Sequence, residues 1–112
     1  MDCLNSLLKQ NRSALTGIHV VVNSNDEQTA QVIETFTIQE KDFITHECHE
    51  NVGPAGGFYF GLKRFLEGNW QFAWLMDDDI LAEDSCLEHL LNESQGGYIY
   101  PTVITAENNE VV

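Results

Sequence analysis

Residues 51–80 read NVGPAGGFYFGLKRFLEGNWQFAWLMDDDI. Glycines at 53, 56 and 57 allow positive φ and close approach of the backbone to a ligand or a neighbouring strand. Pro54 suits the first turn of the helix that follows. That helix is expected to run to about Glu67, with Phe58, Leu62, Phe65 and Leu66 inward, and to end at Gly68-Asn69. Gly61 in its interior costs about 1 kcal/mol against Ala unless close packing compensates. Trp70 to Met76 reads as a strand. Asp77, Asp78 and Asp79 then stand side by side. Three adjacent carboxylates repel one another, so the arrangement is costly without water, a cation or hydrogen-bond donors. Hard oxygen donors at a strand end suit Mg²⁺ or Mn²⁺, which bind through one or two carboxylates plus substrate phosphates. The alternative is a solvated acidic turn capping the next helix. The glycine-rich turn likewise offers amides to a phosphate at a helix N-terminus, or serves close helix–sheet packing. It is neither a G-x-G-x-x-G fingerprint nor a P-loop.

Upstream, Leu4, Leu7 and Leu8 mark a short helix from Asp2 to Gln10, too short to stand without docking. Ile18 to Val22 is near-continuously β-branched, as in a strand buried on both faces of a parallel sheet. Ser24 and Glu27 have capping-box spacing. The helix they open runs to about Thr37, with Ala30, Ile33 and Phe36 on one stripe. Phe43 to Cys48 reads as a short strand. Downstream, Glu83 to Asn92 is an expected helix and Tyr98 to Thr105 a last strand, which Pro101 puts at an edge or bulge. The order α, βα, βα, βα, β predicts an open, mostly parallel α/β sheet with flanking helices. Ligands of such sheets sit beyond the carboxyl ends of the strands. Asn23 to Asp26, Asn51 to Gly57 and Asp77 to Asp79 all fall there.

The chain has 112 residues and a formal net charge of -13. No Lys or Arg follows Arg64. This excludes a phosphate-tracking nucleic-acid surface and a polybasic membrane patch. A phosphorylated ligand must therefore be neutralised by a metal or by backbone amides. No apolar run approaches the ~18 residues of a membrane span, and no signal pattern opens the chain. Cys3, Cys48 and Cys86 form no C-x-x-C, which fits buried thiols in a reducing cytoplasm. His46, Cys48 and His49 hint at a transition-metal site, but a strand splits them between two faces. His19 and His89 read as surface or packing histidines. Trp70, Phe72, Trp74, Tyr59 and Phe60 read as core.

The turn and the aspartates together resemble family-2 glycosyltransferases of the GT-A fold. In that family an Asn-x-Gly-x-Ala/Ser-Gly-Gly-like turn opens a helix, and the next strand ends in a metal-binding D-x-D motif. The matching positions are Asn51, Gly53, Ala55, Gly56, Gly57 and Gly61, then Asp77 and Asp79. Cys3 to Gln10 looks like the family's first helix, and Val21 to Asp26 like its second strand and nucleotide-contacting turn. The resemblance covers nearly the whole chain. Within the family, the GGF and MDDDI wording is most similar to galactofuranosyl- and rhamnosyltransferase-like members.

The resemblance implies a nucleotide-diphosphate sugar as ligand, with Mn²⁺ or Mg²⁺ as cofactor. Asn23, Asn51, Gly53, Gly56, Gly57, Asp77 and Asp78 would line it, and Asp79 with Asp77 would hold the metal. The parent activity is transfer of a glycosyl group to an acceptor hydroxyl. Three departures stand out. The family's first strand would precede Cys3. Asn23 stands where the family usually has an Asp contacting the base. The acceptor half and the catalytic base would lie beyond Val112. The expectation is a single domain truncated at both ends, whose uncovered sheet edge another copy would cover. A rival is an inactive binding or assembly module of the same fold. An aspartate-phosphorylated receiver domain needs a basic residue late in the chain, and a sugar nucleotidyltransferase a glycine- and basic-rich N-terminal loop. Neither is present.

Overall fold

The computed structural model of the chain describes residues 2–23, 26–50 and 53–93. In chain order the elements are α1 (Asp2–Leu8), β1 (Ile18–Asn23), α2 (Glu27–Gln39), β2 (Ile44–His49), α3 (Pro54–Glu67) and α4 (Cys86–Glu93). The described residues fall into two compact units, one formed by Thr16–Ile80 and one by Asp2–Leu15 with residues 81–93.

In the first unit β1 and β2 pair in parallel, from Ile18↔Ile44 to Asn23↔His49. The two-residue period of a strand puts Ile18, Val20, Val22, Ile44, His46 and Cys48 on one face. The α2 helix covers that face. Ile33 and Ile44 are fully buried and Val22 nearly so. Thr37 on α2 donates its hydroxyl hydrogen to Ile33 O at 3.0 Å, so it accepts from His46 Nδ1 at 2.9 Å. Asp26 caps α2, its carboxylate accepting from Gln28 N at 3.1 Å and from Thr29 Oγ1 at 2.8 Å. Such a cap is worth about 1 kcal/mol. The capping role expected of Ser24 thus belongs to Asp26, whose extended backbone directly precedes the helix. Ser24 itself lies outside the described residues.

The α3 helix packs on the opposite face, the side of His19, Val21, Asn23, Thr45, Glu47 and His49. Only part of its apolar stripe is sheltered, Phe58 and Phe65 being half-buried. Leu62 and Leu66 are exposed, and the helix offers the sheet Gly57, Phe60, Gly61 and Arg64 instead. Glycine permits this close approach. A Cβ on Gly61 would stand 3.9 Å from Val21 Cγ2.

Trp70 to Met76 forms no strand. Apolar, aromatic composition supplies strand propensity, but a strand also needs a partner for its backbone groups. Trp70, Phe72 and Leu75 are exposed, as is Tyr59, while Trp74 and Phe60 are half-buried. The aromatic core expected from the sequence is therefore not built. The Trp70 ring lies over Gly68, where a side chain would overlap it. The strand expected at Tyr98 to Thr105 lies outside the described residues.

In the second unit Cys3, Leu4, Leu7 and Leu87 are buried. The α1 helix stops at Leu8, short of the expected Gln10. Gln10 is buried, and its amide replaces helix bonds. Its Nε2 donates to Glu83 O at 2.7 Å, and its Oε1 accepts from Leu87 N in the first turn of α4 at 3.1 Å. Ser6 Oγ accepts from Ala82 N at 3.1 Å. The cysteines are free. Cys48 is exposed rather than buried, and burial followed by the Glu83 charge pushes the Cys86 thiol up.

Gly61→Ala tests the α3 packing. A methyl at ordinary contact distance from Val21 gains helix propensity without a clash, so thermal melts should show stabilisation of up to about 1 kcal/mol. A loss of more than that would mean α3 lies closer to β1 than described.

Candidate functional site

The parallel pairing brings Asn23 and His49 side by side at the carboxyl ends of β1 and β2. The chain leaves β2 there and returns at Gly53, the residue before α3. Gly53 has φ 84° and ψ 169°, a region open essentially to glycine alone. Its carbonyl accepts from Asn23 Nδ2 at 2.7 Å. Gly57 sits one turn into the helix, where a Cβ would be 3.7 Å from the same amide nitrogen. Asn23, Gly53 and Gly57, singled out separately in the sequence, thus meet at one corner. Gly56 is half-buried in the first turn of α3. Asn51 lies outside the described residues.

This corner suits an anion. Gly53 has no side chain with which to cap α3. The amides of a helix's first turn have no acceptor within the helix, and they lie at the positive end of its dipole.

Asp77, Asp78 and Asp79 are exposed, with a turn at Asp78-Asp79. The expected strand does not deliver them; an irregular segment does. Among the described residues no three His, Cys, Asp or Glu side chains are grouped to hold a metal ion. His46 and Cys48 lie on the α2 face of the sheet and His49 on the α3 face. A Mg²⁺-type ion needs only one or two carboxylates alongside substrate phosphates and water. The donor chemistry of the three aspartates fits such an ion.

No motif announces the charged hub beside this corner. Glu47 Oε1 lies 3.0 Å from His19 Nε2, and Oε2 lies 2.9 Å from His49 Nε2. Arg64 donates to both oxygens, from Nε at 3.3 Å and from Nη2 at 2.9 Å, and reaches Glu67 at 2.8 Å. His19 Nδ1 lies 2.7 Å from Thr45 Oγ1. Burial pushes the Glu47 carboxyl up, but hydrogen bonds from Arg64, His19 and His49, with the Arg64 charge, outweigh it and hold the pKa at about 2. The signal was the alternation Thr45, Glu47, His49 opposite His19, which becomes readable only with the register.

With the fold and corner described, the decisive comparison is a family model, glycosyl transferase family 2, which matches residues 2–111. The chain belongs to this family. Comparison with curated proteins and with solved structures gave no match. The parallel pair with helices on both faces is consistent with a partial GT-A, Rossmann-like fold. Family-2 enzymes transfer glycosyl groups from nucleotide-sugar donors and commonly use divalent metals. Among the described residues of this family-2 chain, no helix is long and apolar enough to cross a membrane.

The hub sets a pH dependence. The Glu47 pKa lies below its ordinary 4.5, so the unfolded chain binds that proton more readily. The stabilisation is complete above pH 4.5 and is lost as the pH falls towards about 2. In urea titrations Glu47→Gln should cost roughly 2 kcal/mol at neutral pH, a gap that closes across that acid window. A gap independent of pH would contradict the ionised hub.

Proposed function

We propose that this chain is the nucleotide-sugar-binding part of a family-2 glycosyltransferase. Its parent activity transfers a glycosyl group to an acceptor hydroxyl. The observation that carries the proposal is the bond from Asn23 to the Gly53 carbonyl, which ties the end of β1 to the N-terminus of α3. Asn23, Asn51, Gly53, Gly56 and Gly57 line the nucleotide and diphosphate. The amides of Ala55 and Gly56 donate to the negative charge that the basic-poor chain cannot meet with Lys or Arg. Asp77 and Asp78 approach the ribose and sugar, and Asp79 with Asp77 would hold Mn²⁺ or Mg²⁺. When bound, that ion offsets the charge developing on the diphosphate leaving group. The neutral Asn23, in place of an Asp, leaves the base contact to hydrogen bonding alone. The wording of the glycine turn and of MDDDI supports galactofuranosyl- or rhamnosyl-type donors. Three free thiols support a cytoplasmic location.

Calorimetry tests the assignment with uridine, thymidine and guanosine diphosphate sugars in the presence of Mn²⁺. One donor should bind with the metal, and Asp79→Ala should abolish the metal-dependent part. Binding that Asp79→Ala leaves unchanged would remove the aspartates from the site. Gly53→Ala should weaken the same binding and cost about 1–3 kcal/mol of stability.

A second function, an inactive assembly module, is favoured by one observation. Tyr59, Leu62 and Leu66 on α3 are exposed, together with Trp70 and Phe72. Light scattering separates the two. A homodimer that binds no donor supports assembly, and a donor-binding monomer excludes it.

A further inference from the structure

We propose that His49 is a nucleoside contact of the donor site, its Nδ1 accepting a hydrogen bond from a hydroxyl or N–H group of the nucleoside. The inference rests on the nucleotide-sugar function proposed above and adds a residue that no family motif supplies. His49 is the last residue of β2 and the register partner of Asn23. It therefore stands at the ligand end of the sheet, beside the amide that holds the glycine turn. Its ring is fixed twice. It stacks on Phe60 of α3 at 3.7 Å between centroids and 5° between planes. Its Nε2 lies 2.9 Å from Glu47 Oε2.

Those restraints decide which nitrogen carries the hydrogen. Arg64 and His19 bond the Glu47 carboxylate as well, and an ionised carboxylate only accepts. Nε2 of His49 therefore donates. In the neutral ring Nδ1 is then left as a lone-pair acceptor. The His49 side chain keeps about a quarter of its surface exposed, 27%, and its one described polar contact is the Glu47 bond. The result is an acceptor oriented in advance, with its tautomer fixed by a neighbour. Beside the amide donors at the start of α3, His49 adds a hydrogen-bond acceptor to this corner. Uridine, thymidine and guanosine all carry a ring N–H and at least one sugar hydroxyl that such an acceptor can read.

The test uses the full chain with uridine, thymidine and guanosine diphosphate in Mg²⁺, followed by histidine ¹⁵N NMR and calorimetry. One nucleotide should bind and move the unprotonated His49 Nδ1 resonance upfield, as expected when that lone pair accepts a hydrogen bond. His49→Phe keeps a ring against Phe60 but removes both nitrogens, and should weaken binding roughly tenfold. A nucleotide that binds while the Nδ1 resonance stays in place overturns the inference and leaves the donor-site function standing. Wild-type affinity in His49→Phe does the same. No binding by any of the three overturns both together. The NMR readout on wild-type protein holds even if the variant fails to fold.

Discussion

The register of β1 against β2 is the constraint on which the rest depends. Six pairs, from Ile18↔Ile44 to Asn23↔His49, hold the strands together. A one-residue shift of β2 would turn each of its side chains to the opposite face. Ile44 would leave α2, and Glu47 would leave Arg64. Asn23 would no longer stand beside His49. Burial specifies the register on the α2 face, where Ile33 and Ile44 are wholly enclosed. On the α3 face charge specifies it. Glu47 bonds across the strand pair to His19, along its own strand to His49 and up to Arg64 on the helix. An apolar face and a polar face thus fix the same alignment by different physics.

That alignment places chemistry at one end. Parallel strands deliver their carboxyl ends to the same edge, so the turns after β1 and β2 converge. The α3 helix approaches closely because Gly57 and Gly61 face the sheet. Its N-terminus then lies at the strand ends rather than being held off by side chains. Gly53 reverses the chain into the helix with a conformation that other residues resist, and Asn23 pins its carbonyl. An acidic chain with no Lys or Arg after Arg64 thereby obtains positive potential from backbone amides. In the function proposed above, that potential serves the diphosphate of a sugar donor.

Local signals in the sequence were reliable where local physics decides. The β-branched run at Ile18, the stripe of α2 and the Pro-Ala-Gly-Gly start of α3 announced their elements within a residue or two. The corner at Asn23, Gly53 and Gly57 was legible as three separate candidates. Two features were not legible because they depend on partners distant in sequence. Trp70 to Met76 has the composition of a strand, yet no pairing makes it one among the described residues. Glu47 carried no motif. Its role arises from His19, twenty-eight positions away, and from a helix face chosen by glycines instead of leucines. The apolar stripe of α3 misled for the same reason, since Leu62 and Leu66 satisfy helical periodicity but face outward.

The central claim is that the strand-end corner and the three aspartates serve one ligand. Paramagnetic broadening of backbone amides by trace Mn²⁺, recorded with and without a nucleoside diphosphate, tests it most directly. Broadening should be strongest at Asp77 to Asp79 and, once nucleotide is present, extend to Asn23 and Gly53 to Gly57. Broadening centred elsewhere, or unchanged by the nucleotide, would contradict a shared site.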